Sequence, residues 1–236
     1  GPDDPAILAL QALLPKHRFL ERFGAEPCVP SGAVYAESFD PTKHISLSAL
    51  YDNTKPVQIW VDPGYNWGYA VLAVQVEGNN INVVDEIYER GKTHPEVINI
   101  AKQRPWWKPS HGICDVAGYQ HQADRSAIEV WASAGVRLTG RRVPVQAGID
   151  RMHSVLRSNG INAPTILIHP KCVGLIAELG GGPPPYSDMR PYSYPTSREG
   201  LAISDIPLDK NNHACSATSY GIIANFGFVT KLNSKS

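Results

Sequence analysis

Residues 57–88 read VQIWVDPGYNWGYAVLAVQVEGNNINVVDEIY, and this stretch decides the fold. Val57 to Asp62 alternates and then stops at Asp62-Pro63-Gly64, the pattern of a strand running into a turn. Tyr69 to Val76 is a nearly continuous β-type run, Glu77-Gly78-Asn79-Asn80 supplies turn residues, and Ile81 to Tyr88 is a third strand. The second and third strands are therefore expected to pair as a hairpin. Downstream, helical and β-type segments alternate. His94 to Gln103 reads as a helix stopped before Pro105, and Gly112-Ile-Cys-Asp115 as a short buried strand ending on an acid. Asp124 to Ala134 is a helix closed by Gly135, Val136-Arg-Leu138 a strand, and Ile149 to Arg157 a helix. Thr165 to Ile168 is a strand, Val173 to Leu179 a helix, and about Asp209 to Phe228 a final helix. A hairpin followed by alternating helix and strand implies an α/β fold with a mixed central sheet flanked by helices.

Upstream of Val57 the pattern is weaker. Residues 6–23 read as a helical pair broken at Pro15, and Gly24 to Thr54 as an irregular linker punctuated by Pro27, Pro30, Ser31-Gly32 and Asp40-Pro41. Two parts follow: residues 1–54, and a folded domain over residues 55–236. The opening Gly1-Pro2 reads as a scar of tag removal and is left out of the fold reasoning. Gly180 to Pro195 is a long Gly- and Pro-rich loop with a hairpin expected around Tyr192–Tyr194.

Bulk properties exclude several classes. Of the 236 residues, 42% are hydrophobic and 19% charged, too apolar a balance for a disordered chain. No apolar run approaches the ~18 residues of a membrane span, and no basic-then-apolar leader opens the chain. Cys28, Cys114, Cys172 and Cys215 are widely spaced without a CxxC pair, which argues against a zinc knuckle or a disulfide framework. They read as buried small hydrophobes. No Gly-x-x-x-x-Gly-Lys-Ser/Thr occurs, so no phosphate-cradling loop for ATP is expected. Formal net charge is zero, yet Arg137, Arg141, Arg142, Arg151 and Arg157 crowd a stretch whose single acid is Asp150. Such a patch suits phosphates, and equally a solvated face.

The chemistry lies in acids at strand ends. Asp62 and Asp115 each close a strand before a turn, where ligand sites gather in α/β sheets. Two carboxylates held close together repel unless a cation lies between them, so the pair points to Mg²⁺ or Mn²⁺. An aspartate in this position also simply caps a turn. Glu86 and Asp85 fall on opposite faces of their strand, so at most one is expected to point inward. If the last helix starts at Asp209, then Asp209, His213 and Ser216 share one face at i, i+4 and i+7. Asp209 as a helix cap is the plain alternative.

The ordered series of Asp62-Pro-Gly, hairpin, Asp115-Val-Ala-Gly, Gly/Pro-rich segment and Pro207-Leu-Asp-Lys-Asn-Asn-His-Ala214 resembles the nuclease domain of large terminases from tailed bacteriophages. Phe23-Gly-Ala-Glu-Pro27, Pro30-Ser-Gly-Ala-Val-Tyr35 and Phe39-Asp-Pro-x-x-His44 resemble the segment joining their motor to their nuclease. The resemblance implies an RNase H-like fold and a metal-dependent endonuclease that cuts concatemeric double-stranded viral DNA with little sequence preference. It implies two Mg²⁺ or Mn²⁺ ions held by Asp62, Asp115 and Asp209 or Glu86, with His213 at the scissile phosphate. Arg137, Arg141, Arg142, Arg151 and Lys171 would hold the DNA backbone. Implied partners are the terminase ATPase domain, the small terminase subunit and the capsid portal, in the cytoplasm of the infected host. Ser216 stands where the family places an aspartate three residues after the histidine, and a hydroxyl is a poor Mg²⁺ ligand. A catalytically inert DNA-gripping or portal-docking module, and another RNase H-like nuclease such as a junction resolvase, are the competing readings.

Overall fold

The computed structural model of the chain describes residues 32–115, 121–122, 125–161, 163–197, 204 and 206–229. A single turn of helix, α1 (Pro41–His44), precedes strands β1 (Gln58–Asp62), β2 (Tyr69–Glu77) and β3 (Asn80–Glu89). Then come α2 (His94–Lys102), β4 (His111–Asp115), a short ribbon of β5 (His121–Gln122) and β6 (Arg125–Ser126), and α3 (Ala127–Ser133). The chain continues through β7 (Leu138–Arg141), α4 (Val145–Leu156), β8 (Thr165–Ile168), α5 (Val173–Leu179) and α6 (His213–Phe226). Apart from the ribbon, the strands form one sheet in the order β7-β4-β1-β2-β3-β8. Only β2 is antiparallel to its neighbours; the β4–β1, β7–β4 and β3–β8 pairs are parallel. The expected α/β class, the hairpin and the mixed sheet are all present.

The sheet is covered on both faces, which is why its strands read as almost unbroken apolar runs. Trp60, Leu72, Ile81 and Val83 point to one side and pack with Ile149, Met152 and Leu156 of α4, Leu175 of α5 and Ile222 of α6. Ile59, Val61, Val71 and Val84 point to the other and pack with Val97 and Ile98 of α2 and Trp131 of α3. Both sides of β3 are buried, so Asp85 and Glu86 both point inward, at 2% and 6% exposure. The expectation that only one would do so fails because β8 and helices enclose this strand.

The last helix is locked onto β1. Gly221 lies against the Trp60 indole, which a side chain at 221 would overlap. Trp60 Nε1 donates to Gln58 Oε1 at 2.9 Å, and Asn225 Nδ2 donates to the same oxygen at 2.9 Å. This contact fixes where α6 starts relative to the end of β1.

Several boundaries differ from expectation. α6 begins at His213, because Asn211 takes a left-handed conformation (φ 55°) that puts Asn212 at the N-cap position, though its side chain makes no capping bond. Asp209 is therefore not on the helical face with His213 and Ser216, nor does it cap the helix. α4 begins four residues early, at Val145. Residues 192–194 form no hairpin of their own; they pair with residues 32–34 through Val34 N–H to Tyr192 O (2.8 Å) and Tyr194 N–H to Gly32 O (2.8 Å). The described part of the segment expected as linker is mostly irregular, yet Val34, Tyr35 and Phe39 lie in the core. Cys114, Cys172 and Cys215 are free and buried. The helical pair expected over 6–23, and Cys28, lie outside the described residues.

Candidate metal and nucleic-acid site

Asp62 and Asp115 leave the sheet side by side. β1 and β4 are parallel and in register up to Val61 opposite Cys114, so the next residue of each strand is one of the two acids. Asp62 faces α6. Its Oδ2 lies 2.9 Å from His213 Nδ1, and both side chains keep just under a fifth of their surface exposed. The turn after Asp62 wraps the imidazole: a Cβ on Gly64 would come within 3.0 Å of His213 Cε1, and one on Gly68 within 2.8 Å of His213 Cδ2. Gly68 therefore has to be glycine for the ring to sit where it does, and Gly64 because a Cβ there would run into the Gly68 carbonyl oxygen.

The electrostatics follow from burial and from the crowding of acids. Burial raises the Asp62 carboxyl above its usual range; the His213 hydrogen bond opposes this, while the charges of Asp115 and Asp209 push it further up. For His213, burial works against the charged ring. The Asp62 hydrogen bond and charge, with Glu178 and Asp209 behind them, outweigh burial and raise it overall.

Glu178, at the end of α5, is 1% exposed. It accepts the N–H of Cys215 (2.8 Å) and the hydroxyl of Tyr88 (2.8 Å), placing its carboxylate on the open first turn of α6. Tyr220 stands seven residues after His213 on the same helical face. Burial raises its phenol, and the charges of Asp62 and Asp115 raise it further. Its hydroxyl pairs with the Ser216 side chain one turn earlier on the helix. Gly64, Gly68, Glu178 and Tyr220 were not singled out from sequence, although Tyr220 lies at the i+7 spacing that was applied to Asp209.

The other expected site residues divide. Asp209 is exposed and accepts a hydrogen bond from Asn212 Nδ2 at 3.1 Å; it is near enough for its charge to act on Asp62 and His213. The structure does not bring Glu86 to the acid pair. Its two oxygens accept the N–H groups of Gly174 and Leu175, each at 2.7 Å, so it caps α5 from inside the core. Burial, opposed by these bonds, pushes its carboxyl up to about 8. Among the described residues, no group of three or more His, Cys, Asp or Glu side chains is arranged to hold a metal ion.

The basic residues do not form one patch. Arg141 and Arg142 are exposed, and Arg141 is the register partner of Asp115 across β4 and β7. Arg137 lies at the opposite end of β7, where its carbonyl accepts Gly112 N–H at 2.9 Å. Arg151 is 8% exposed and donates to Phe226 O at 3.1 Å, so it braces the end of α6 rather than facing solvent. Lys171 is half-exposed, with Nζ 3.4 Å from the buried Asp85.

The fold has counterparts among solved structures. A large terminase from a thermophilic bacteriophage matches with a TM-score of 0.61 and 17% identity, over 82% of this chain and 46% of that one. The P22 large terminase nuclease domain matches at 0.59 and 15%, over 84% of this chain and 95% of that one. The large terminase nuclease from thermophilic phage G20c, with bound cobalt, matches at 0.51 and 12%, over 80% and 97%. The fold is that of large-terminase nuclease domains. It is RNase H-like, as the resemblance implied. The chain spans about half the length of the first of these terminases, and nearly all of the separate nuclease domains. At these identities the likeness concerns the fold. No family model and no curated protein sequence matches the chain. Among the described residues, no helix is long and apolar enough to cross a membrane.

Proposed function

We propose that this chain is the nuclease domain of a tailed-phage large terminase, cutting double-stranded DNA with the help of divalent metal. The observation that carries this reading is the side-by-side exit of Asp62 and Asp115 from parallel strands of an RNase H-like sheet, facing His213 at the start of the last helix. The G20c nuclease structures with bound cobalt and with bound magnesium support metal use.

The donor set fits a hard divalent cation. A carboxylate whose proton affinity is raised by burial and by the charge of a neighbouring carboxylate, as that of Asp62 is, gains most from a cation between the two. Asp62 and Asp115 would hold it, and Asp209, whose charge reaches Asp62 and His213, is the candidate carboxylate for a second ion. A bound divalent cation would supply an activated water and stabilise the leaving oxygen. His213 orients Asp62 and, when protonated, offers a cation to the scissile phosphate. Arg141 and Arg142 neutralise backbone phosphates without reading bases, which predicts little sequence preference.

A terminase ATPase motor, the small terminase subunit and the capsid portal would be the partners in this reading, in the infected host cytoplasm. Residues 55–236 form the nuclease in this reading, and 1–54 the connection to the motor. One observation favours the alternative of an inert DNA-gripping or portal-docking module: His213 holds Asp62 while Ser216 occupies the next turn of the helix. Supercoiled plasmid incubated with EDTA, Mg²⁺ or Mn²⁺ separates the two. Metal-dependent nicking and linearisation by the wild type, lost in Asp62→Asn, supports the nuclease. Intact plasmid under every metal supports the docking module.

A further inference from the structure

We infer that the turn between β1 and β2 is a nucleobase-stacking platform, with Trp67 and Tyr65 engaging an unpaired base beside the acid pair. The inference rests on the nuclease reading for the identity of its ligand, but on different residues for its geometry. Tyr65 and Trp67 are 52% and 50% exposed, although burying a large aromatic side chain is strongly favourable. They stand out because the turn beneath them is braced. Gly91 N–H donates to Tyr65 O at 2.7 Å, and Arg90 Nε donates to Trp67 O at 2.9 Å. Arg90 is itself held by Asp188 at 2.6 Å and lies over the Tyr186 ring at 4.3 Å. From inside, Gly64 and Gly68 close on His213. Two aromatic rings are thus presented to solvent on a supported backbone, a few residues after Asp62.

Their surroundings match nucleic acid. Lys210 Nζ lies over one face of the Trp67 ring, 4.5 Å from its centre, which puts a cation for a phosphate on the ring whose other face would take the base. Stacking is indifferent to sequence, because every base has a π-face. It does require a base out of the helix stack, so the platform discriminates unpaired or kinked DNA from intact duplex rather than one sequence from another.

Tryptophan fluorescence reads this directly. Trp60, Trp106 and Trp131 are buried and Trp107 is partly buried, so the exposed Trp67 dominates any quenching by a stacked base. In EDTA, which prevents cutting, the wild type is titrated with a short single-stranded oligonucleotide and with the matching duplex. The expected result is strong quenching by the single strand and weak quenching by the duplex. Trp67→Ala should bind the single strand roughly tenfold more weakly while losing little duplex affinity. Trp67→Phe should restore the single-strand affinity without the quenching. Melting temperatures of both variants should stay at the wild-type value, since the side chain is a surface one. Unquenched wild-type emission, or equal loss of both DNAs in Trp67→Ala, overturns the platform. The nuclease reading fails separately, through uncut plasmid: a protein that stacks but does not cut keeps the platform, and one that cuts with an inert Trp67 keeps the nuclease.

Discussion

Gly221→Ala sets two effects of opposite sign against each other. Alanine in a helix interior is favoured over glycine by about 0.5–1 kcal/mol, so an exposed site would be stabilised. At 221 the new Cβ would overlap three carbons of the Trp60 indole, far inside the ~3.5 Å of a carbon–carbon contact. Trp60 cannot swing away, since it is fully buried and its Nε1 is tied to Gln58, which is tied in turn to Asn225 of the same helix. Overpacking a filled core costs typically about 1–3 kcal/mol and sometimes more. With so deep an overlap the cost lies at the upper end, about 3 kcal/mol, so the net effect is a destabilisation of about 2 kcal/mol, or roughly 4–8 °C in Tm for a domain of this size. Because α6 must lift from β1 to make room, His213 should also separate from Asp62, and cleavage should fall further than stability does. Thermal and guanidinium unfolding with a parallel plasmid assay measure both. A Gly221→Ala protein more stable than wild type, with full activity, would refute the helix–strand lock.

Three further outcomes follow from the same geometry. Glu86 has a folded-state carboxyl near 8 against an ordinary value of 4.5, so the folded state binds its proton more tightly than the unfolded chain does. Between those limits it therefore lowers stability as pH rises, by at most about 1.4 kcal/mol per unit, and Glu86→Gln should flatten the urea-derived stability profile there. Ser216→Asp adds a carboxylate on the helical face that carries His213; it should lower Tm in EDTA through repulsion with Asp62 and raise it above wild type in Mn²⁺. Arg141→Ala and Arg142→Ala should each lower the salt slope of DNA binding by about one phosphate contact, whereas Arg137→Ala should change it little.

The fold was legible because hydrophobic periodicity and turn residues recorded it directly. Residues 57–88 show a strand, a turn and a hairpin in order, and both acids sit at the last residue of their strands. What escaped was set by tertiary contacts. Nothing local reveals that β3 is enclosed on both faces, so Glu86 read as a choice between exposed acid and ligand; it is in fact an internal helix cap. The final helix starts late because Asn211 adopts a left-handed backbone, a conformation asparagine tolerates without requiring it, and this moved Asp209 off the helical face. Arg151 joined the basic stretch by sequence count, but its position on α4 turns it toward Phe226. Glu178 and the glycine pair around His213 act between distant stretches of chain or through ring contacts, and spacing along the chain carries no trace of either.

The central claim is that Asp62 and Asp115 together hold a divalent cation, and calorimetric titration of the intact protein with Mn²⁺ tests it most directly. The account predicts saturable binding in the wild type that disappears in both Asp62→Asn and Asp115→Asn, with Glu86→Gln binding as the wild type does. Identical isotherms for the wild type and the two aspartate variants would contradict it.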